Sequence, residues 1–216
     1  MDTDTGSRAD EDVGNDADTP RQRDVTVVGI VGLPGSGKSE AAAVAREAGI
    51  PVVTMGDVIR AACRSRGLDP ATEHGRVAKA LREENGPAAV AEASLSAIEA
   101  VLEDHDTVVV DGIRSDAEVE RFERAFGDAF VLVSVEAPFE TRAERLDLRG
   151  RDATAADGGE SLTERDEREL AFGMGEAISR ADRTVENTGS LAAFKRKIRR
   201  LLVDDPADTE RGETHE

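Results

Sequence analysis

The octapeptide Gly32-Leu33-Pro34-Gly35-Ser36-Gly37-Lys38-Ser39 constrains this chain more than any other stretch. It fits the phosphate-binding pattern G-x-x-x-x-G-K-[ST] at every fixed position. The run before it, Val25 to Val31, is short, apolar and β-branched, as a buried parallel strand is. The run after it, Glu40 to Glu47, is rich in strong helix formers. Strand, glycine loop and helix in that order predict a loop whose successive N–H groups face one anion, backed by the positive end of a helix. The pattern gives Lys38 a compact charge for β- and γ-phosphates and Ser39 a hydroxyl for Mg²⁺. A Gly-rich turn that binds nothing needs neither flank.

The rest of the chain alternates strand and helix signals. Ile50 to Thr54, Thr107 to Asp111, Ala129 to Val135 and Arg183 to Glu186 read as four further strands. Helices are predicted after Met55, over about Thr72 to Glu84, over Ala88 to Leu102, from Pro138, over about Thr163 to Ala181, and from Leu191. Ser115 with Glu118 three residues on forms a capping-box pattern ahead of a further helix. Leu191, Phe194, Ile198 and Leu201 are expected on the buried face of the last helix. Such alternation predicts a parallel sheet with helices on both faces, and ligands at the carboxyl ends of the strands. The glycine loop, Asp57, Asp111, Arg114 and Glu136 all fall there.

Charge sets the ends apart. Residues 1–24 and 204–216 each carry a net charge of −5, and residues 1–24 hold almost no apolar side chain. Both are expected as disordered acidic tails around a domain spanning 25–203, with a lid at about 146–170. The whole chain has 46 acidic against 28 basic residues, and only Lys38, Lys79, Lys195 and Lys197 are lysine. That surface argues against nucleic acid or anionic membrane as a partner. It fits either the carboxylate-rich bias of salt-loving organisms or an ordinary acidic protein. Cys63 is the single cysteine, so a reducing, cytoplasmic setting is expected. His74, His105 and His215 show no zinc-ligand spacing and are expected to be incidental surface residues. No apolar run is long enough to span a bilayer, and the acidic N-terminus is unlike a secretory signal.

Several short motifs, in order, resemble known families. Thr54-Met55-Gly56-Asp57-Val58-Ile59-Arg60 and Asp111-Gly112-Ile113-Arg114 resemble segments of adenylate-kinase-type enzymes, the second shortened and lacking a proline. Val135-Glu136-Ala137-Pro138 followed by Arg145 and Arg149 resembles their strand exit and lid-hinge arginines. Ala181 to Leu191 is similar to the end of dephospho-coenzyme-A kinases. From about Val25 to Leu202 the chain resembles an archaeal family of P-loop nucleotide kinases related to dephospho-coenzyme-A kinase and adenylate kinase. The resemblance implies a three-layer α/β/α P-loop NTPase fold, with a five-stranded parallel sheet and a small helical lid.

It also implies an ATP- and Mg²⁺-dependent kinase acting on a nucleotide or nucleotide-containing small molecule. Gly32, Leu33, Pro34, Gly35, Ser36, Gly37, Lys38 and Ser39 would hold the donor phosphates. Ser39 and Asp111 would serve the metal, and Arg60 and Arg114 would grip the acceptor. Lys38, Asp57, Arg145 and Arg149 are the catalytic candidates, with Arg151, Arg165 and Arg168 also in or near the lid. Asp57 would be a base for a hydroxyl acceptor, or only the N-cap of a helix beginning at Val58. Asn187 to Ser190 would border the adenine. The competing reading is a nucleotide-dependent switch with no small acceptor. Acceptor identity, ATP against GTP, and oligomeric state stay open.

Overall fold

The computed structural model describes residues 25–148 and 160–204. Arg149, Arg151 and the two acidic tails, apart from residue 204, lie outside the described residues.

Five strands form one wholly parallel sheet in the order β2-β3-β1-β4-β5: β1 Thr26–Val31, β2 Val52–Thr54, β3 Thr107–Asp111, β4 Phe130–Glu136 and β5 Arg183–Glu186. The order moves away from the centre on both sides of β1, so β1 is flanked by β3 and β4 and its glycine loop opens at the middle of the sheet edge. Register aligns the exits: Ile30 and Thr54 both pair with Asp111.

The strand pleat sorts side chains between two cores. Val27 and Val31 face one, with Val108, Val110, Phe130 and Leu132. Val28 and Ile30 face the other, with Val109, Val133 and Val135. Buried β-branched residues on both faces explain why these strands read as continuous apolar runs. The first core is covered by α2 Met55–Ser65, α3 Pro70–Asn85, α4 Ala89–Leu102, α5 Asp116–Phe126 and α8 Met174–Ser179. The second is covered by α1 Lys38–Glu47 and α9 Leu191–Arg199. The remaining α-helices, α6 Phe139–Leu148 and α7 Leu162–Ala171, stand over the glycine loop.

Local chemistry explains most boundaries. Asp69 caps α3 by accepting from Ala71 N, with Pro70 in the first helical position. Ser161 and Glu164 form a full capping box for α7.

Four expectations are corrected. The stretch 163–181 is two helices, because Gly173 adopts φ +99° and begins α8 afresh. Ser115 caps α5, but Glu118 reaches one residue further back, to Arg114 N at 2.8 Å, and so forms no reciprocal box. Leu191 is 54% exposed, at the very start of α9. Asp57 does not cap a helix at Val58: α2 begins at Met55, and Asp57 lies inside its first turn.

Candidate functional site

The glycine loop is built by three residues at positive φ: Gly32 at 145°, Gly35 at 77° and Gly37 at 119°. Gly37 is the residue before α1 and accepts from Glu40 N and Ala41 N, both at 3.0 Å. A Cβ there would collide with the Asn187 amide. Lys38 Nζ donates to the carbonyls of Gly32 and Leu33, so the loop's own backbone holds the ammonium. Burial lowers the Lys38 pKa to about 8, against partial support from Glu169 and Asp111. An ammonium desolvated this far is held ready for an anion.

Lys38 opens onto a cleft of about 370 Å³, which is also lined by Ser39, Thr54, Arg60, Asp111 and Arg114. Eight of the residues expected at the site, Pro34, Gly35, Gly37, Lys38, Ser39, Arg60, Asp111 and Arg114, line it together. A larger groove, about 1110 Å³, runs along β5 beside α9, and none of these residues lines it. The chemistry, rather than the volume, selects the smaller space.

Donor chemistry at Ser39 and Asp111 suits Mg²⁺: one hydroxyl and one carboxylate, both hard oxygens. Among the described residues no group of three or more His, Cys, Asp or Glu is assembled for a metal. A cation here would draw most ligands from phosphate and water, as Mg²⁺ does.

Other expected residues stand elsewhere. Asp57 does not line the cleft: its side chain is 66% exposed and its Oδ1 accepts from Arg60 Nε at 2.9 Å and Nη2 at 2.7 Å. Arg145 does not line it either. Its guanidinium donates to Asn187 O at 2.8 Å, Asn187 Oδ1 at 3.1 Å and Ser36 O at 3.4 Å. Asn187 Nδ2 donates to Ser36 O at 2.8 Å. Arg145 and the buried Asn187 thus brace the glycine loop from behind, and Asn187's polar atoms are spent there. Glu136 is exposed, with its Oε1 accepting from Ser134 Oγ at 3.0 Å.

Three residues of the cleft, His74, Arg82 and Glu169, were not legible as site residues or were discounted. His74 lines it rather than being incidental. Arg82 lines it and pairs with the buried Glu118 at 3.1 Å. Glu118 also holds Arg114 N, so one buried carboxylate positions two arginines. Burial pushes the Glu118 carboxyl above its ordinary range, against the opposing pull of Arg114 and Arg82. Glu169 of α7 lines the cleft and accepts from Arg114 Nη1 at 3.0 Å. Arg165, on the same helix and already expected near the lid, lines it too. Behind them Arg142 makes a two-pronged pair with Asp166, 2.8 and 2.7 Å, and donates to Pro34 O at 3.0 Å. That residue joins α6, α7 and the glycine loop.

Residues 28–170 match the family described as an AAA domain. The chain is 56% identical over 190 residues to a UPF0200 protein of Halobacterium salinarum, covering 88% of this chain and 99% of that protein. It is 50% identical over 181 residues to a UPF0200/UPF0201 protein of Archaeoglobus fulgidus, covering 83% of this chain and 56% of that one. Among solved structures, the Thermus thermophilus protein TT1252 superposes with TM-score 0.56 at 22% identity, covering 83% of this chain and 97% of the other. Shikimate kinase from Acinetobacter baumannii, in complex with shikimate, gives TM-score 0.51 at 15% identity, covering 86% and 97%. At these identities the likeness is one of fold, and the fold is that of the P-loop kinases. No helix among the described residues is long and apolar enough to cross a membrane.

Proposed function

As the chain belongs to the UPF0200 family and to the AAA-domain family, we propose that it is a small-molecule kinase. It would transfer the γ-phosphoryl group of ATP to a nucleotide or nucleotide-containing acceptor such as a nucleoside monophosphate or dephospho-coenzyme A. The observation that carries this reading is a single cleft lined both by Lys38 and Ser39 and by Arg60, Arg82 and Arg114. A site for a nucleotide alone has no need of the second group of cations.

Phosphoryl transfer asks mainly for positioning and for positive charge spread over the transferred group. The loop N–H groups and Lys38 would hold the β- and γ-phosphates. Ser39 and Asp111 would hold Mg²⁺, whose charge offsets that developing on the phosphate oxygens. An acceptor oxygen would bond to the γ-phosphorus as the bond to the β,γ-bridging oxygen breaks, releasing ADP. A phosphate acceptor is already anionic and needs no base. A hydroxyl acceptor must lose a proton, and Asp57 would reach it only by releasing Arg60. Arg145 would act through the loop that it braces. Arg149 would belong to the lid.

The test is a screen of nucleoside monophosphates and dephospho-coenzyme A with ATP in concentrated salt, scored by product formation. Transfer to a small acceptor far above background hydrolysis is expected, and Lys38→Ala should abolish it with the fold intact. Slow hydrolysis with no small acceptor would instead favour a nucleotide-dependent switch.

A further inference from the structure

His74, which lines the cleft, carries a buried polar atom at Nε2. That atom takes no hydrogen bond. Interaction of the ring with the Gly56 backbone favours its protonated form. A neutral imidazole that donates from one nitrogen presents the other as an acceptor. Burial lowers the His74 pKa most; the Gly56 backbone opposes that, and the charges of Arg60 on α2, Arg114 after β3 and Arg82 on His74's own helix α3 add to the lowering. These three guanidiniums line the same cleft as His74. Each is a pure donor, and each holds one carboxylate: Asp57, Glu169 and Glu118 respectively. The cleft therefore offers a ligand many cationic donors and, at His74, a neutral acceptor among them.

We propose that His74 is a specificity-determining residue of this cleft, whose Nε2 accepts a hydrogen bond from a hydroxyl group of an anionic acceptor held by the surrounding arginines. The inference deepens the kinase reading and rests on it for the word acceptor. The arginines recognise charge, which any phosphate or carboxylate supplies. His74 recognises what the anion carries beside its charge. A ligand with a donor at this place satisfies a buried atom that otherwise has no partner, and one without leaves it stranded. A site built around such an atom rejects the donor-free analogue by roughly tenfold to a thousandfold. No charged residue at position 74 achieves this: a carboxylate would neutralise an arginine, and a cation would repel them.

The experiment uses the full chain with its imidazoles labelled with ¹⁵N. Only three histidines are present, and His105 is exposed, so the signals can be assigned by single substitutions. The probes are AMP, dephospho-coenzyme A and 2′,3′-dideoxyadenosine 5′-monophosphate, which keeps the phosphate and loses both ribose hydroxyls. AMP or dephospho-coenzyme A should shift the His74 Nε2 resonance towards that of a hydrogen-bonded acceptor, and the dideoxy compound should not. By calorimetry the wild type should prefer AMP to its dideoxy analogue at least tenfold. His74→Phe should erase the preference, and His74→Gln, which keeps a neutral acceptor, should restore part of it. Equal affinity of the wild type for the pair, a preference that survives His74→Phe, or no response of His74 to any of the three probes would overturn the proposal. The kinase reading stands or falls separately. Discrimination at His74 without phosphoryl transfer would sink that reading alone, and transfer that ignores His74 would sink this one alone.

Discussion

Arg114 Nη1 lies 3.0 Å from Glu169 Oε1, an ion pair that joins the exit of β3 to α7 across 55 residues of sequence. Glu169 is also the first of the carboxylates whose charge supports the buried Lys38. One acidic side chain thus stands against both the cation of the glycine loop and a cation on the acceptor side of the cleft. A phosphate bound by Arg114 must share that guanidinium with Glu169 or displace it.

Glu169→Gln keeps the shape of the side chain and removes its charge. Arg114 is half exposed, so the pair contributes less than about 1 kcal/mol to stability. The melting temperature should barely move. AMP should bind several-fold more tightly by calorimetry, and the Lys38 pKa should fall below about 8 because its leading electrostatic support is gone. Weaker AMP binding would show instead that Glu169 orients Arg114 for its ligand.

Lys38 predicts a pH dependence of definite sign. Its ordinary pKa of 10.5 is lowered to about 8 in the folded chain. Between these values the unfolded chain keeps a proton that the folded chain has released, so stability from this group rises with pH. The cost of burying the charge is fully present below pH 8 and fades as pH climbs to 10.5. The difference in unfolding free energy between wild type and Lys38→Met, in which other groups cancel, should therefore grow in favour of the wild type over that window. Nucleotide affinity should run the other way. Above pH 8 the free protein must take up a proton to bind phosphate, and the Kd for ATP should rise by up to about tenfold per pH unit. Calorimetry in buffers of different ionisation enthalpy would register the proton; a flat profile from pH 7 to 9.5 would sink the assignment.

The Arg142–Asp166 pair predicts a large loss from a small change. Both side chains are nearly buried, and Arg142 also bonds to Pro34 O at 3.0 Å and Ala137 O at 3.2 Å. Asp166→Asn leaves a buried guanidinium short of its counter-charge, which typically costs about 3–5 kcal/mol. Chemical denaturation should show that loss. The double variant Arg142→Met, Asp166→Leu should recover much of it, because removing both charges also removes the cost of desolvating them.

The parts of the molecule legible in sequence are those with a local physical cause. β3 ends at Asp111 as its apolar run predicts, and β5 spans Arg183–Glu186 as read. The glycine loop declares itself because a phosphate cradle needs glycine and lysine at fixed spacing. Partners across the fold have no such signature. Arg145 reads as a lid-hinge arginine, but it meets Asn187, while Arg142 on the same helix meets Asp166. With 46 acidic residues in the chain, no local pattern marks Asp166, Glu118 or Glu169 as the three that matter. His74 sits in a charged helical stretch and looks like surface. Only the folding of α3 over the β3 exit brings it into the cleft with Arg82. Even the Ser115–Glu118 pattern, correctly read as a cap, conceals that the carboxylate serves Arg82 and Arg114 N.

Two glycines separate backbone strain from contact in the phosphate loop. Gly37 has φ +119° and Gly49 has φ +78°, so alanine is strained at either place, by about 1–2 kcal/mol. Around Gly49 an added Cβ meets nothing within 4 Å. At Gly37 it would strike the Asn187 amide and touch Phe194 at 3.4 Å. Asn187 is buried, and its amide is the one that holds Ser36 O. It has no room to yield without releasing the loop. Gly49→Ala should therefore lower stability by the strain alone and leave ATP binding unchanged. Gly37→Ala should lower stability further and weaken ATP at least tenfold, because it disturbs the N-terminus of α1 and the Asn187 brace together. Denaturation midpoints and ATP titrations on the two variants decide it. Equal losses in both would mean that the contact with Asn187 carries no weight, and that the loop depends on backbone conformation alone.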